Sequence, residues 1–134
     1  NESLDEDNKW KCDKCTLEIK AERTITFWST PSKLIIQLKR FNNDGEKNNS
    51  FVNYPLYNLN LSKYCVGYDK LNSEYNLYGV ACHIGSSEGG HYIAYCKNVN
   101  NKWYKFDDST VSEVSESSII TNEAYCLFYT KITN

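Results

Sequence analysis

Between Gly89 and Asp108 the chain gathers residue types that can move a proton: Gly89, Gly90, His91, Tyr92, Asp107 and Asp108. An imidazole oriented by a carboxylate is the usual general base for a Ser or Cys nucleophile, because the carboxylate fixes its tautomer and stabilises the imidazolium. The segments HYIAYC (91–96) and WYKFDD (103–108) flank a polar loop, Lys97 to Lys102, so the spacing predicts a β-hairpin. If Cys96 pairs with Trp103, His91 stands opposite Asp108 and beside Asp107, and cross-strand Cβ atoms lie about 4.5–5.5 Å apart. A slip of one residue brings Asp107 opposite instead, so spacing supports a His–carboxylate pair without choosing the carboxylate. Gly89 and Gly90 remove side chains where the histidine segment begins, which lets another backbone, such as a substrate peptide, approach. Motif frequency alone favours a plain structural role for a surface His with Asp neighbours. A metal at His91 and the two aspartates is a third reading, with His83 the only other histidine.

Cys12 and Cys15 form a second chemical pair within WKCDKC. Cys-x-x-Cys lets one tight turn present two thiolates to a tetrahedral zinc, and two ligands are half of a closed structural site. A redox pair is the weaker reading, because no strand leads into a helix that begins at these cysteines. Cys65, Cys82, Cys96 and Cys126 are singletons, three of them within alternating segments, and read as small buried hydrophobes.

The elements that must position these groups are strands. Eleven Tyr, five Phe and three Trp in 134 residues favour sheet over helix. Strands are expected at 24–28, 34–41, 75–84, 91–96, 103–107 and 124–130, with polar loops at 42–50, 64–73 and 86–90. Residues 115–121 can form one helical turn capped by Ser115. Fifteen Lys and Arg against 17 Asp and Glu give a net charge of -2, so no basic field exists to hold a nucleic acid or an anionic membrane. No apolar run approaches the roughly 20 residues of a membrane-spanning helix. The chain has no Met and opens on the polar Asn1 to Asn8, as expected of a piece of a longer or processed product.

GGHYIAYCKN at 89–98, WYKFDDSTV at 103–111 and AYCLFY at 124–129 together resemble the C-terminal half of ubiquitin-specific proteases, which are papain-like thiol enzymes. The likeness extends upstream through LIIQLKRF at 34–41, VNYP at 52–55 and the Cys-x-x-Cys at 12–15, and so covers nearly the whole chain. It implies an α+β peptidase fold of which this segment is mostly antiparallel sheet: part of a fingers region over about 1–30 and a palm over about 31–134. It implies His91 as general base, Asp107 as its orienting carboxylate and Asp108 as a second acidic support. Gly89, Gly90 and Tyr92 would line a narrow channel for the diglycine end of ubiquitin, with Arg40 and Phe41 contacting that tail. The segments 86–90 and 64–73 would be loops over it. Cys12 and Cys15 would be one of two zinc knuckles; zinc, where bound, would be structural and not required for catalysis.

One departure from the family pattern stands out: no Gly-Asn-Thr-Cys-like segment opens a helix in these residues. The expectation is a deubiquitinase whose nucleophilic cysteine comes from an N-terminal part of the same catalytic domain, so that this segment alone is inactive. Its partners would be that missing part, ubiquitin and ubiquitinated proteins, in the cytoplasm or nucleus. The alternatives are a ubiquitin-binding pseudoenzyme or scaffold and, further off, a β-rich zinc-binding interaction module.

Overall fold

The computed structural model describes residues 2–133. The chain begins with two small antiparallel ribbons: β1 (Glu2–Leu4) pairs with β4 (Ala21–Arg23), and β2 (Trp10–Lys11) pairs with β3 (Glu18–Ile19). The rest builds a seven-stranded antiparallel sheet from β5 (Lys33–Gln37), β6 (Leu59–Asn60), β7 (Glu74–Ser86), β8 (Gly89–Lys97), β9 (Trp103–Asp107), β10 (Thr110–Val114) and β11 (Ala124–Lys131). Its order is β10-β9-β8-β7-β11-β5, with β6 pairing the start of β7. No α-helix occurs among the described residues; the helical elements are short 3-10 turns at Ser62–Tyr64, Tyr68–Asn72 and Glu116–Ser118.

Alternation along the central strands sorts side chains to two faces. Tyr75, Leu77, Val80 and Cys82 of β7, Ile93 of β8, Trp103 of β9 and Leu127 and Tyr129 of β11 point to the buried face, where Tyr54, Leu61 and Ile119 cover them. Three tyrosines bury their rings and hand their hydroxyls to loop carbonyls: Tyr54 to Ile119 (2.6 Å), Tyr75 to Pro31 (2.6 Å) and Tyr129 to Pro55 (2.8 Å). Each bond satisfies a polar atom that burial would otherwise strand, and ties a loop onto the sheet.

Several expectations are corrected. The 24–28 strand is absent: Ala21–Arg23 pairs instead, and Phe27 makes only an isolated bridge to Cys65. The strand from Leu34 ends at Gln37, because Arg40 turns its backbone N–H onto the Leu38 carbonyl. The 86–90 loop is a two-residue turn, Ser87–Glu88, so Gly89 and Gly90 lie inside β8, paired with Ser86 and Gly85. Most of 64–73 forms 3-10 turns. The turn at 115–121 does form, but Ser115 makes no side-chain bond to the backbone; its hydroxyl meets those of Ser117 and Ser118 at 2.9 Å.

The β8–β9 hairpin forms with a different register. Cys96 pairs with Tyr104 and Lys97 with Trp103, so the loop is Asn98 to Lys102. Asn98 donates its N–H to the Lys102 carbonyl at 2.9 Å and Asn101 takes φ 63, closing a loop one residue tighter than expected. Lys97 stays in the strand, its ammonium 4.7 Å from the Tyr57 ring centroid and 2.8 Å from the Tyr57 hydroxyl.

Candidate active site

That register settles which carboxylate meets the histidine. Continuing the ladder past Ala94–Phe106 sets Ile93 across from Asp107, and His91 is two residues along the same face of β8. His91 and Asp107 are therefore diagonal neighbours, a separation that long side chains bridge. His91 Nε2 lies 2.6 Å from Asp107 Oδ1. The other carboxylate oxygen accepts from Lys105 Nζ at 2.7 Å, Lys105 sharing the face of Asp107 two residues away. Lys105 first, then His91, holds the Asp107 carboxyl below its ordinary range. The bond to Asp107 raises the His91 imidazole above its ordinary value, against desolvation, with the charge of Asp108 adding to the rise.

The geometry assigns different work to the two ring nitrogens. With Nε2 facing an ionised carboxylate, the neutral ring carries its proton there, which leaves Nδ1 with the lone pair that can accept a proton. The His91 side chain is 43% exposed, so the imidazole is open to a reacting group from outside. Asp108 occupies the turn between β9 and β10 at φ 48 and is exposed. Ligand atoms of His91, Asp107 and Asp108 lie within 4.8 Å of one another. The Lys105 ammonium on Asp107 opposes a cation there, so the arrangement suits proton transfer better than metal binding.

Beside this pair lies an open cavity of about 390 Å³ lined by Phe41, His83, Ser86, Ser87, Glu88, Gly89, Gly90 and Tyr92. The two glycines differ in kind. A Cβ on Gly89 would meet nothing within 4 Å, whereas one on Gly90 would collide with the His83 imidazole and the Ile84 carbonyl. Gly90 is thus demanded by the chain's own packing, while Gly89 leaves the surface open to a visiting backbone. Tyr92 is 59% exposed at the mouth, and Phe41 packs edge-on to His83 with ring centroids 5.5 Å apart. Arg40 does not line the cavity. It is buried, donating Nε to the Ala124 carbonyl (2.9 Å) and a terminal nitrogen to the carbonyls of Asn48 (3.1 Å) and Ser50 (2.6 Å).

Two further residues belong to the site. Lys105 fixes the second oxygen of Asp107, and its signal was the i, i+2 spacing that puts both on one strand face. His83 is 4% exposed, stacks near Tyr92 with centroids 4.7 Å apart, and has no partner for Nδ1. Its place opposite Tyr92 follows only from the β7–β8 register, which local sequence does not carry.

Cys12 and Cys15 lie apart from His91 and Asp107, in the turn joining β2 to β3. Cys12 accepts at its carbonyl from Thr16 N–H (2.8 Å) and donates its N–H to Leu17 (3.0 Å). Backbone N–H groups of Cys15 and then Lys14 aimed at the Cys12 sulfur lower its thiol from the ordinary value. A turn that solvates a thiolate with backbone donors fits a metal ligand, and these two thiols could supply two of the four ligands of a tetrahedral zinc. The remaining cysteines are free thiols: Cys65 and Cys82 are buried, Cys96 and Cys126 half-buried. Burial pushes Cys82 up to about 12 and raises Cys96 and Cys126 as well.

Comparison with known proteins places this geometry in a family. Ubiquitin carboxyl-terminal hydrolase 10 of Arabidopsis thaliana is 42% identical over 135 residues, covering 98% of this chain and 15% of the relative. Ubiquitin carboxyl-terminal hydrolase 12 of Saccharomyces cerevisiae is 42% identical over 127 residues, covering 91% of this chain and 10% of its own length. Among solved structures, a Ubp8 variant in the SAGA DUB module with Sgf11, Sus1 and Sgf73, bound to monoubiquitin, superposes with a TM-score of 0.82 at 36% identity, over 98% of this chain and 30% of that one. The same module bound to ubiquitin aldehyde gives a TM-score of 0.77 at 36% identity, over 98% of this chain and 31% of that one. The chain therefore spans a small part of the curated relatives it matches and under a third of the solved ones. The family model described as ubiquitin carboxyl-terminal hydrolase matches residues 3–129, and the chain belongs to that family.

Proposed function

We propose that this chain is the histidine- and aspartate-bearing part of a thiol-dependent deubiquitinase that hydrolyses the peptide or isopeptide bond after the last glycine of ubiquitin. The observation that carries the reading is the 2.6 Å bond from His91 Nε2 to Asp107 beside the cavity of Phe41, Gly89 and Tyr92. A cysteine from a part of the catalytic domain outside these residues is the nucleophile. Among the described residues none of the six cysteines hydrogen-bonds His91, and burial keeps Cys82, Cys96 and Cys126 protonated.

The thiol gives its proton to His91 Nδ1, and the resulting imidazolium is held by Asp107. The thiolate attacks the carbonyl carbon of the ubiquitin glycine, and His91 returns the proton to the departing amine as the C–N bond breaks. Water then attacks the thioester, giving its proton to Nδ1, and that proton passes to the sulfur as the acid leaves. Lys105 keeps Asp107 ionised throughout, and Asp108 adds negative charge beside the imidazolium. Phe41, Gly89 and Tyr92 receive the ubiquitin tail, whose lack of side chains suits a channel with a bare strand edge at Gly89. Arg40 shapes the channel from behind, by anchoring the 42–50 loop to β11.

Zinc is a structural component of this reading. Cys12 and Cys15 would hold one side of the ion, and a full thiolate set would leave no open position for water, so the ion would take no part in hydrolysis. The first 30 or so residues would then be part of the fingers and the rest part of the palm.

The test is turnover of ubiquitin carrying a C-terminal amide-linked fluorophore by the full-length protein. Release of the fluorophore, lost in Asp107→Ala, is expected. Turnover unaltered in Asp107→Ala removes that residue from the mechanism, and binding of ubiquitin with no turnover points to a pseudoenzyme.

A further inference from the structure

Lys47 carries its charge into the protein behind the cavity. Only 7% of its side chain is exposed, its ammonium lies 2.5 Å from the His83 carbonyl oxygen and 3.0 Å from Glu123 Oε2. Glu123 is not a passive counter-ion, because its own carbonyl accepts the N–H of His83 at 2.9 Å. The main chain of His83 is thus gripped at both ends, and the Lys47–Glu123 pair closes the ring.

Burying an ammonium costs free energy that a single loop contact seldom returns. The loop does not need it, since Arg40 already ties Asn48 and Ser50 to the end of β11 through three carbonyls. What Lys47 alone does is fix the carbonyl of His83, the residue whose ring packs on Phe41 and Tyr92 and fills the space that a side chain at Gly90 would need. Lys47 also bridges backbone to backbone with Phe41, so one residue holds two walls of the cavity, Phe41 and His83. Ile84, the next residue in β7, pairs with His91, which places the gripped segment one step from the general base.

We infer that Lys47 and Glu123 are positioning residues: their ion pair clamps the His83 segment and so sets the width of the channel that admits a side-chain-free substrate tail. This rests on the deubiquitinase reading given above. A loosened clamp lets His83 and Phe41 move apart, and the channel then tolerates a methyl group that the intact walls reject.

The experiment compares two ubiquitin substrates in the full-length protein, one ending in Gly-Gly and one in Ala-Gly, for wild type, Lys47→Met and Glu123→Gln. The ratio of kcat/KM values cancels the fraction of folded enzyme, so a merely structural loss does not move it. Wild type is expected to prefer Gly-Gly strongly; Lys47→Met is expected to reduce that preference about tenfold, the worth of a methyl in a close-fitting pocket, with the Gly-Gly effect mainly in KM. Glu123→Gln, a half-exposed and isosteric change, is expected to shift the ratio the same way by less, and serves alone if Lys47→Met does not fold. A ratio unchanged in every folded variant overturns the clamp while leaving the deubiquitinase reading intact. If wild type binds ubiquitin without cleaving it, the same ratio is read from dissociation constants. A wild type that neither binds nor cleaves overturns the deubiquitinase reading and this inference with it.

Discussion

The seven-stranded sheet and the two N-terminal ribbons share a chain and a strand geometry but not a means of staying folded. From residue 2 through 29 no residue is buried, whereas β7 alone buries Tyr75, Leu77, Val80 and Cys82. The ribbons hold together through turn hydrogen bonds and exposed ion pairs, Glu6 with Lys9 (3.1 Å) and Lys20 (2.5 Å), and Glu2 with Arg23 (3.6 Å). Such exposed pairs are screened by water and add little, and two-stranded ribbons are marginal by themselves. The sheet can therefore place His91 and Asp107 to within a hydrogen bond, while the ribbons lack a core of their own, and the zinc proposed above for Cys12 and Cys15 would serve them as an outside staple.

Breaking the contrast at its strongest point means altering the chemistry the sheet supports. His91→Ala in the full-length protein is expected to lower kcat/KM on ubiquitin substrates by about 10²–10⁴-fold with the fold intact by circular dichroism; an effect below threefold would detach the sheet from catalysis. Next in size is the core. Leu77→Ala should cost about 2–5 kcal/mol, and Leu4→Ala, in a ribbon, less than about 1 kcal/mol, both read from denaturant midpoints; equal costs would erase the distinction between the regions.

The staple comes third. Chelating zinc from the full-length protein, or replacing Cys12 by Ser, should speed amide exchange across residues 2–29 and leave β7, β8 and β11 protected. Exchange that rises evenly across both regions would tie the ribbons to the sheet core. A finer probe is the titration of His91 by NMR. Asp107 raises the His91 value, so Asp107→Asn should move the midpoint down. The sign for stability follows: a raised folded value favours the folded state below the unfolded His range and loses that benefit as pH rises through the folded midpoint. Asp107, held low by Lys105 and His91, contributes above the unfolded carboxylate range and loses its share as pH falls through its own midpoint. The smallest effect belongs to Glu6→Gln, a barely measurable shift of the denaturant midpoint that fades with salt.

The same contrast explains what could be read from the residues. β7, β8, β9 and β11 were legible because each buries one face, and burial imposes alternation on the sequence. β10 was not: TVSEV is exposed at four of its five positions, and it pairs only because the Asp108–Ser109 turn folds it back on β9. The ribbons carry no buried stripe, so nothing in their composition marks them as strands. At the site, His91 and its acidic neighbours were legible from type and spacing, but the choice of Asp107 depended on a one-residue register set by Asn101 and Lys97. Arg40 was expected to contact substrate from its place in the 34–41 segment; that its donors go to three carbonyls brought close only by the fold was not legible there. His83 and Lys47 were illegible for the same reason: their partners lie across strands or 36 and 76 residues away.

The most direct measurement is intact mass spectrometry of the full-length protein, wild type and His91→Ala, after reaction with ubiquitin bearing a thiol-reactive C-terminus. The expected result is one ubiquitin added to wild type through a cysteine outside these 134 residues, and the same adduct forming at least about 10²-fold more slowly in His91→Ala. An adduct on Cys12, Cys15, Cys65, Cys82, Cys96 or Cys126, or one that forms equally fast without His91, would contradict the assignment of His91 as the base that activates an external thiol.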